Sequence, residues 1–224
     1  MKYQIAYLYY DLLNLYGDNG NIKALVKHLK NQNIDVEVKY LSINDKKDFN
    51  KYDLVYIGSG TSNNLLIALD DLLKYRLDIE KAIDNNKEFL ITGNSIELFG
   101  KEIIINSEKI KCLNIFDYST TYKKRTVKDV KYKQKDSKNI IIGFENHPGV
   151  INEYKYPLFE NNEGINYKNF IGSYVIGPIL VRNPDFCEYY IKRIIENKFK
   201  DHKYIEDDYE FEKKAYKINI ESIN

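Results

Sequence analysis

Two short loops hold the residue types that could do chemistry. The first is Gly58-Ser59-Gly60-Thr61, which follows the apolar run Leu54 to Ile57. Glycines let backbone N–H groups approach a ligand, so such a loop can hold an anion or a developing oxyanion. It can equally be a tight strand-to-helix turn. The second is Thr92-Gly93-Asn94-Ser95-Ile96-Glu97-Leu98-Phe99-Gly100. A β-prone run, Phe89-Leu90-Ile91, enters it, and a short helix is expected to leave it. That is the layout of a nucleophile elbow, where one residue is held in a strained conformation. An elbow presents Ser or Cys. Here the residues leave the apex open: no cysteine is present in the loop, and Ser95 offers a hydroxyl only in a partial Gly-x-Ser-x-Gly that lacks its last glycine.

Other reactive types are scattered. Cys112 falls in an expected hairpin and Cys187 in a late helix, and each reads as a small core residue. His147 could act as a base, but reads first as a hydrogen-bonding structural residue. His28 and His202 are expected to face solvent. Arg125, in Tyr122-Lys123-Lys124-Arg125, could grip a carboxylate through a charge-assisted fork or simply sit at the surface. Only Arg76, Arg125, Arg182 and Arg193 are arginines, and lysine does not replace a guanidinium fork. With only 2 cysteines, neither a zinc finger nor a disulfide framework is expected, and no metal site is assigned.

The elements that must position these loops follow from periodicity. Tyr3 to Tyr10 reads as a strand. Asp18-Asn19-Gly20-Asn21 is a turn that offers helix caps, and Asn21 to Asn31 has amphipathic helical spacing. Val36, Val38 and Tyr40 alternate with polar residues, as in a strand. Leu65, Leu66, Leu69, Leu72 and Leu73 mark a helix, and Ile79, Ala82 and Ile83 a shorter one. Alternating strands and helices predict an α/β fold with a mostly parallel central sheet flanked by helices. From about residue 103 to 144, short β-type runs predict hairpins added to that sheet. Asn183-Pro184 is a cap followed by proline at the first helical position. No linker or repeat divides the chain, so residues 1–224 are expected to form one domain, with a peripheral charged tail from about residue 203.

Composition narrows the function classes. The 224 residues include 34 Lys+Arg and 33 Asp+Glu, a net charge of +1. That balance argues against broad electrostatic binding of nucleic acid and leaves room only for a local patch. Hydrophobic residues make up 43% and there are only 4 prolines, which excludes a disordered chain. No apolar run approaches the length of a membrane span, so no membrane insertion is expected. Met1-Lys2-Tyr3-Gln4-Ile5 lacks the pattern of a signal peptide, so a cytoplasmic location is expected.

Several ordered segments together resemble the class I glutamine amidotransferases of the cobyric acid synthase (CobB/CobQ-like) type. Within these, the amidotransferase subunits of lipid II isoglutaminyl synthase are most similar. The segments are Leu13-Asn14-Leu15-Tyr16-Gly17-Asp18-Asn19-Gly20-Asn21-Ile22, the loop Ile57-Gly58-Ser59-Gly60, the stretch Gly143-Phe144-Glu145-Asn146-His147-Pro148-Gly149, and Tyr167 to Leu180. The resemblance implies a flavodoxin-like sheet and no cofactor. It implies glutamine hydrolysis by an elbow cysteine and a histidine, with the glycine loop at the oxyanion. It also implies a Mur-ligase-like partner in a heterodimer, which uses the ammonia to amidate the D-glutamate of lipid II in peptidoglycan synthesis. Arg125 lies where such proteins place an arginine near the glutamine.

The chain departs from that pattern at the chemistry. The related elbow reads approximately Cys-x-Gly-x-Gln-x-Leu-Gly. Counted back from Gly100, the cysteine position is Gly93, the glycine position is Ser95 and the glutamine position is Glu97. The histidine precedes Gly-Pro-Ile-Leu, and that position is Ile176. A thiolate beside a base is what such hydrolysis needs, and neither glycine nor isoleucine supplies one. The expectation is a pseudoenzyme that keeps the scaffold and acts as a structural or regulatory partner. The alternatives are a hydrolase using Ser95, or a module that binds glutamine through Gly58, Ser59, Gly60 and Arg125.

Overall fold

The computed structural model describes residues 1–223. Ten strands form two sheets. The larger contains β1 (Lys2–Leu8), β2 (Asp35–Leu41), β3 (Leu54–Ile57), β4 (Glu88–Thr92), β9 (Ile165–Tyr167) and β10 (Phe170–Ser173). Their order is β2-β1-β3-β4-β10-β9, parallel throughout except for β9 at one edge. Parallel neighbours need crossovers, and helices supply them: α1 (Asn19–Asn31), α2 (Ser62–Leu72) and α3 (Arg76–Asp84).

Side-chain alternation sorts the core onto the two faces of this sheet. Ala6, Leu8, Val55, Ile57, Phe89 and Ile91 pack with Leu65 and Leu69 of α2 and Ile79 and Ile83 of α3. Ile5, Tyr7, Leu54, Tyr56 and Leu90 pack with Ile22, Leu25 and Leu29 of α1 on the other side. α5 (Pro184–Lys198) completes that second layer through Phe186, Tyr190, Ile191 and Ile194. Strands buried on both faces read as continuous apolar runs, which is why Leu54 to Ile57 of β3 and Phe89 to Ile91 of β4 are hydrophobic without alternation. The strand order reverses between β1 and β3. Ligands of such sheets bind outside the carboxyl ends of the strands at that reversal. The loops after β1, β3 and β4 therefore meet at one place.

The second half differs from the expectation. The hairpins do not extend the parallel sheet. They form their own sheet, ordered β6-β5-β7-β8, from β5 (Glu102–Ile105), β6 (Glu108–Lys111), β7 (Ser119–Lys133) and β8 (Ile140–Ile151). Alternation within a strand reports a half-buried face, not which sheet the strand joins. β7 and β8 make one long antiparallel ribbon whose register slips between Tyr122 and Thr126.

Three local expectations also change. β1 stops at Leu8, and Tyr9 turns away with φ 54 rather than continuing the strand. Asp18 and Asn183 occupy helix N-cap positions, but neither side chain caps its helix. Asn183 instead brackets β8, accepting from Ile142 N at 2.7 Å and donating to Ile142 O at 2.8 Å. The short helix α4 (Ile179–Arg182) lies between β10 and α5 in the chain, and α6 (Glu210–Ser222) is a peripheral helix near the end of the described residues.

Candidate functional site

The chain leaves the carboxyl end of β4 and turns sharply at Gly93, where φ is +66. A 3-10 helix, Gly93–Phe99, follows, and every residue in it is buried. A left-handed turn costs a glycine nothing and an L side chain about 1–2 kcal/mol. Space is restricted as well. A β-carbon built at Gly93 overlaps Ser59 Cβ and lies 2.8 Å from Ile176 Cγ2. Ser59 from the loop after β3 and Ile176 from the loop after β10 thus close over the turn from two sides.

Ile176 is held there by backbone. It exchanges hydrogen bonds with Phe144 of β8, N to O at 2.9 Å and O to N at 3.1 Å. The residue is buried and its side chain is aliphatic. No group at 93 or 176 can attack a carbonyl or move a proton.

The glycine loop is equally occupied. Ser59 N donates to Asp18 Oδ1 at 3.1 Å, and Ser59 Oγ donates to the same carboxylate at 3.0 Å. Gly60 N donates to Asn94 Oδ1 at 3.1 Å, while Asn94 Nδ2 donates back to Gly60 O at 2.9 Å. Amide groups that could stabilise an oxyanion are already satisfied by protein side chains. Ser95, the candidate nucleophile, is fully buried and donates its hydroxyl to Gly58 O. No histidine contacts it among the described residues. Its hydroxyl therefore ties the elbow helix to the glycine loop and has no base to activate it.

Asp18 was legible in the sequence only as a turn residue. In the fold its carboxylate turns inward and becomes the hub of the site. It accepts from Tyr16 N at 3.1 Å, from Ser59, and from Thr92 Oγ1 at 3.1 Å at the end of β4. Tyr56 OH lies 2.9 Å from Thr92 Oγ1 and accepts from Asn21 Nδ2 at 2.8 Å, and Asn21 Oδ1 in turn accepts from Leu180 N at 2.9 Å. Burial raises the Asp18 carboxyl above its ordinary range, and the hydrogen bonds from Tyr16, Ser59 and Thr92 pull it back. The hub joins β3, β4, the start of α1 and the start of α4. Only a long-range contact could reveal it, because Asp18 and Thr92 are 74 residues apart.

A second cluster lies under the β7–β8 ribbon. Glu97 is fully buried; its Oε1 accepts from Tyr174 OH at 3.0 Å and its Oε2 has no partner. Burial pushes its carboxyl up to about 8, against opposing effects of Tyr174, Tyr122 and Arg125. His147 stacks on Tyr174, with ring centroids 3.6 Å apart, and its Nδ1 is 2.7 Å from Gly149 O. That places His147 on β8 as a packing and hydrogen-bonding residue. Arg125 sits at the register slip of β7, where Nη1 donates to Asn146 Oδ1 at 2.7 Å. It is exposed and shares this side of the elbow with Glu97. Cys112 and Cys187 are buried and unpaired, with thiols pushed up to about 12 by burial. His28 departs from expectation: it is buried, and Nδ1 lies 2.5 Å from Asp207 Oδ2.

An open parallel sheet with an elbow after β4 and a glycine loop after β3 defines an amidotransferase-type α/β fold. The chain belongs to the CobB/CobQ-like glutamine amidotransferase domain family, which matches residues 4–184. Two relatives carry the name lipid II isoglutaminyl synthase (glutamine-hydrolyzing) subunit GatD. That of Staphylococcus aureus is 30% identical over 226 residues, covering 96% of this chain and 93% of its own. That of Streptococcus pneumoniae is 31% identical over 211 residues, covering 87% and 81%. Among solved structures, a glutamine amidotransferase aligns with TM-score 0.54 at 12% identity, over 85% of this chain and 98% of its own. The glutaminase domain of Trypanosoma brucei CTPS with bound acivicin aligns with TM-score 0.54 at 11% identity, over 91% and 96%. At such identities these two alignments speak for the fold alone.

Proposed function

We propose that this chain is an amidotransferase-like subunit without glutaminase activity, and that it serves as a structural or regulatory partner of a Mur-type ligase that amidates lipid II. One observation carries the reading. The turn that should present a nucleophile holds Gly93, and the volume a side chain would need is filled by Ser59 and Ile176. The family membership, and two relatives named as subunits of a lipid II isoglutaminyl synthase, support a role beside a partner that acts on lipid II. Residues 1–224 are taken as one such unit, working beside the ligase without a cofactor or metal of its own.

The occupied amides of Ser59 and Gly60 support inactivity independently, because an oxyanion would find no free donor there. The same bonds weigh against a glutamine-binding module built on that loop. The buried Ser95 hydroxyl, aimed at Gly58 O, weighs against a serine hydrolase.

The test is an ammonia-release assay with glutamine, run on the purified chain and on the chain with its host ligase. No release above the uncatalysed rate is expected in either case, together with co-purification of the two proteins. Turnover at an enzyme-like rate would sink the inactive reading, and failure of the ligase to co-purify would sink the partner reading.

A further inference from the structure

The net charge of +1 hides a strong segregation. Basic residues fill eight of the sixteen positions from 123 to 138, against 34 of 224 over the whole chain. Only Asp129 and Asp136 oppose them in that stretch. The remainder of the chain is therefore net acidic. The segment covers most of β7 and the turn to β8, and all eight basic residues in it are exposed.

Strand geometry sorts the residues along β7 onto two faces. Alternate residues of a strand point to opposite faces. On β7, Lys128, Val130 and Tyr132 lie on the inner side: Val130 is buried, as is Gln134 just beyond the strand, and Lys128 and Tyr132 reach the buried Glu145 of β8. The other face carries Arg125, Val127, Asp129, Lys131 and Lys133, and Val127 on it is 59% exposed. Lys133 is engaged by Glu160. Among the described residues, no carboxylate pairs with Lys123, Lys124, Arg125, Lys131, Lys135 or Lys138. The result is a cationic ribbon with an exposed valine in its middle.

We propose that this ribbon is an electrostatic docking surface for an anionic phospholipid bilayer. The proposal rests on the reading above, in which the ligase works on a lipid-linked substrate and so meets a membrane surface. Six exposed cations without a carboxylate partner, Lys123, Lys124, Arg125, Lys131, Lys135 and Lys138, outnumber Asp129 and Asp136 in this segment, and with exposed Val127 among them they suit adsorption at headgroups. Each such residue near an anionic leaflet strengthens partitioning by roughly fivefold, an effect that fades within a Debye length of about 10 Å. No helix of the described chain is long and apolar enough to cross a membrane.

The experiment is co-sedimentation of the isolated chain with vesicles of phosphatidylcholine containing about 40% phosphatidylglycerol, with pure phosphatidylcholine as the comparison. Saturable binding to the anionic vesicles only is expected, falling at least about tenfold between about 50 and 500 mM salt. Replacing Lys123, Lys124, Lys131 and Lys135 by serine should weaken binding by about a hundredfold or more. Replacing Lys23, Lys87, Lys111 and Lys217 removes the same charge elsewhere and should have little effect. The pairs K123S/K124S and K131S/K135S serve if the fourfold ribbon variant does not fold. Absence of vesicle binding, or equal loss in both fourfold variants, overturns the proposal. So does tighter binding to a fluorescent DNA duplex than to the vesicles. The assay contains neither ligase nor glutamine, so its failure leaves the proposed function standing, and the reverse also holds.

Discussion

Ile176 closes over Gly93: its Cγ2 stands 2.8 Å from where a β-carbon at position 93 would be, and Ser59 fills the opposite side. Two residues far from it in sequence, one before and one after, thus exclude a side chain at position 93. Gly93→Ala should destabilise the protein by about 2–4 kcal/mol, from positive φ and overpacking together. Urea unfolding measures it. Ser59→Gly should recover part of that loss in the double variant, because it removes the atom that a new β-carbon overlaps. Strict additivity of the two changes would mean the residues do not share this space.

Restoring the missing groups should not restore the reaction. In Gly93→Cys/Ile176→His, the thiol still meets Ser59, and Gly60 N still donates to Asn94. The expected ammonia release stays at background. Adding Ser59→Gly and Asn94→Ala clears the space and frees the amide, so any activity should appear only in that fourfold variant. Glutaminase activity in the double variant would show that the loop moves aside freely.

Asp18 should be the costliest polar residue to change. Its carboxylate accepts from Tyr16, Ser59 and Thr92 in a buried setting. Asp18→Ala leaves those donors without a partner, and a loss of about 3 kcal/mol is expected. Asp18→Asn should be no better, since its amide hydrogens would face other donors. A midpoint in urea unchanged by either substitution would remove Asp18 from its role as hub.

The pH dependence of stability should report Glu97. Burial raises its carboxyl in the folded state to about 8, whereas an unfolded glutamate titrates near 4.3. Between those values the folded protein keeps a proton that the unfolded chain releases. Stability should therefore fall as pH rises from about 4.5 to 8, by an amount on the order of a few kcal/mol. Glu163, pushed up to about 8 by burial in the same way, adds a slope of the same sign. Glu97→Gln should remove its own share and stabilise the protein at pH 8 by about 2 kcal/mol. A wild-type profile flat from pH 5 to 8 would contradict this.

The sequence showed the parallel half of the fold well, for physical reasons. β3 and β4 are buried on both faces, so their apolar runs stand out, and α1, α2 and α5 have clear amphipathic spacing. The loops at the strand ends were legible because glycines mark them. What stayed hidden depends on partners distant in sequence. A turn aspartate gives no sign that it will cap a loop 41 residues away, as Asp18 does for Ser59. Asn94 looked like an elbow residue, yet it satisfies the peptide of Gly60. The alternation in β5 to β8 announced strands without saying that they make a separate sheet. His28 looked solvent-facing on its helix because the segment that covers it lies 179 residues later.

That covering segment gives the last prediction. Asp207 and His28 pair with side chains only 6% and 4% exposed, Tyr209 stacks on the His28 ring at 4.4 Å, and Asn31 Nδ2 donates to Asp207 at 2.8 Å. Gln32 adds a reciprocal pair of 2.7 Å bonds with the backbone of Ile205. These contacts clasp the chain leading to α6 against α1. Burial opposes ionisation of Asp207, yet His28 and Asn31 hold its carboxyl below the ordinary range. The stabilisation is therefore complete above about pH 4 and is lost as pH falls through the folded-state value. Asp207→Ala should cost about 2 kcal/mol at neutral pH and speed amide exchange across residues 203–222, leaving β3 and β4 protected. Should exchange accelerate equally in the central strands, the tail would be part of one cooperative core and not a clasped peripheral element.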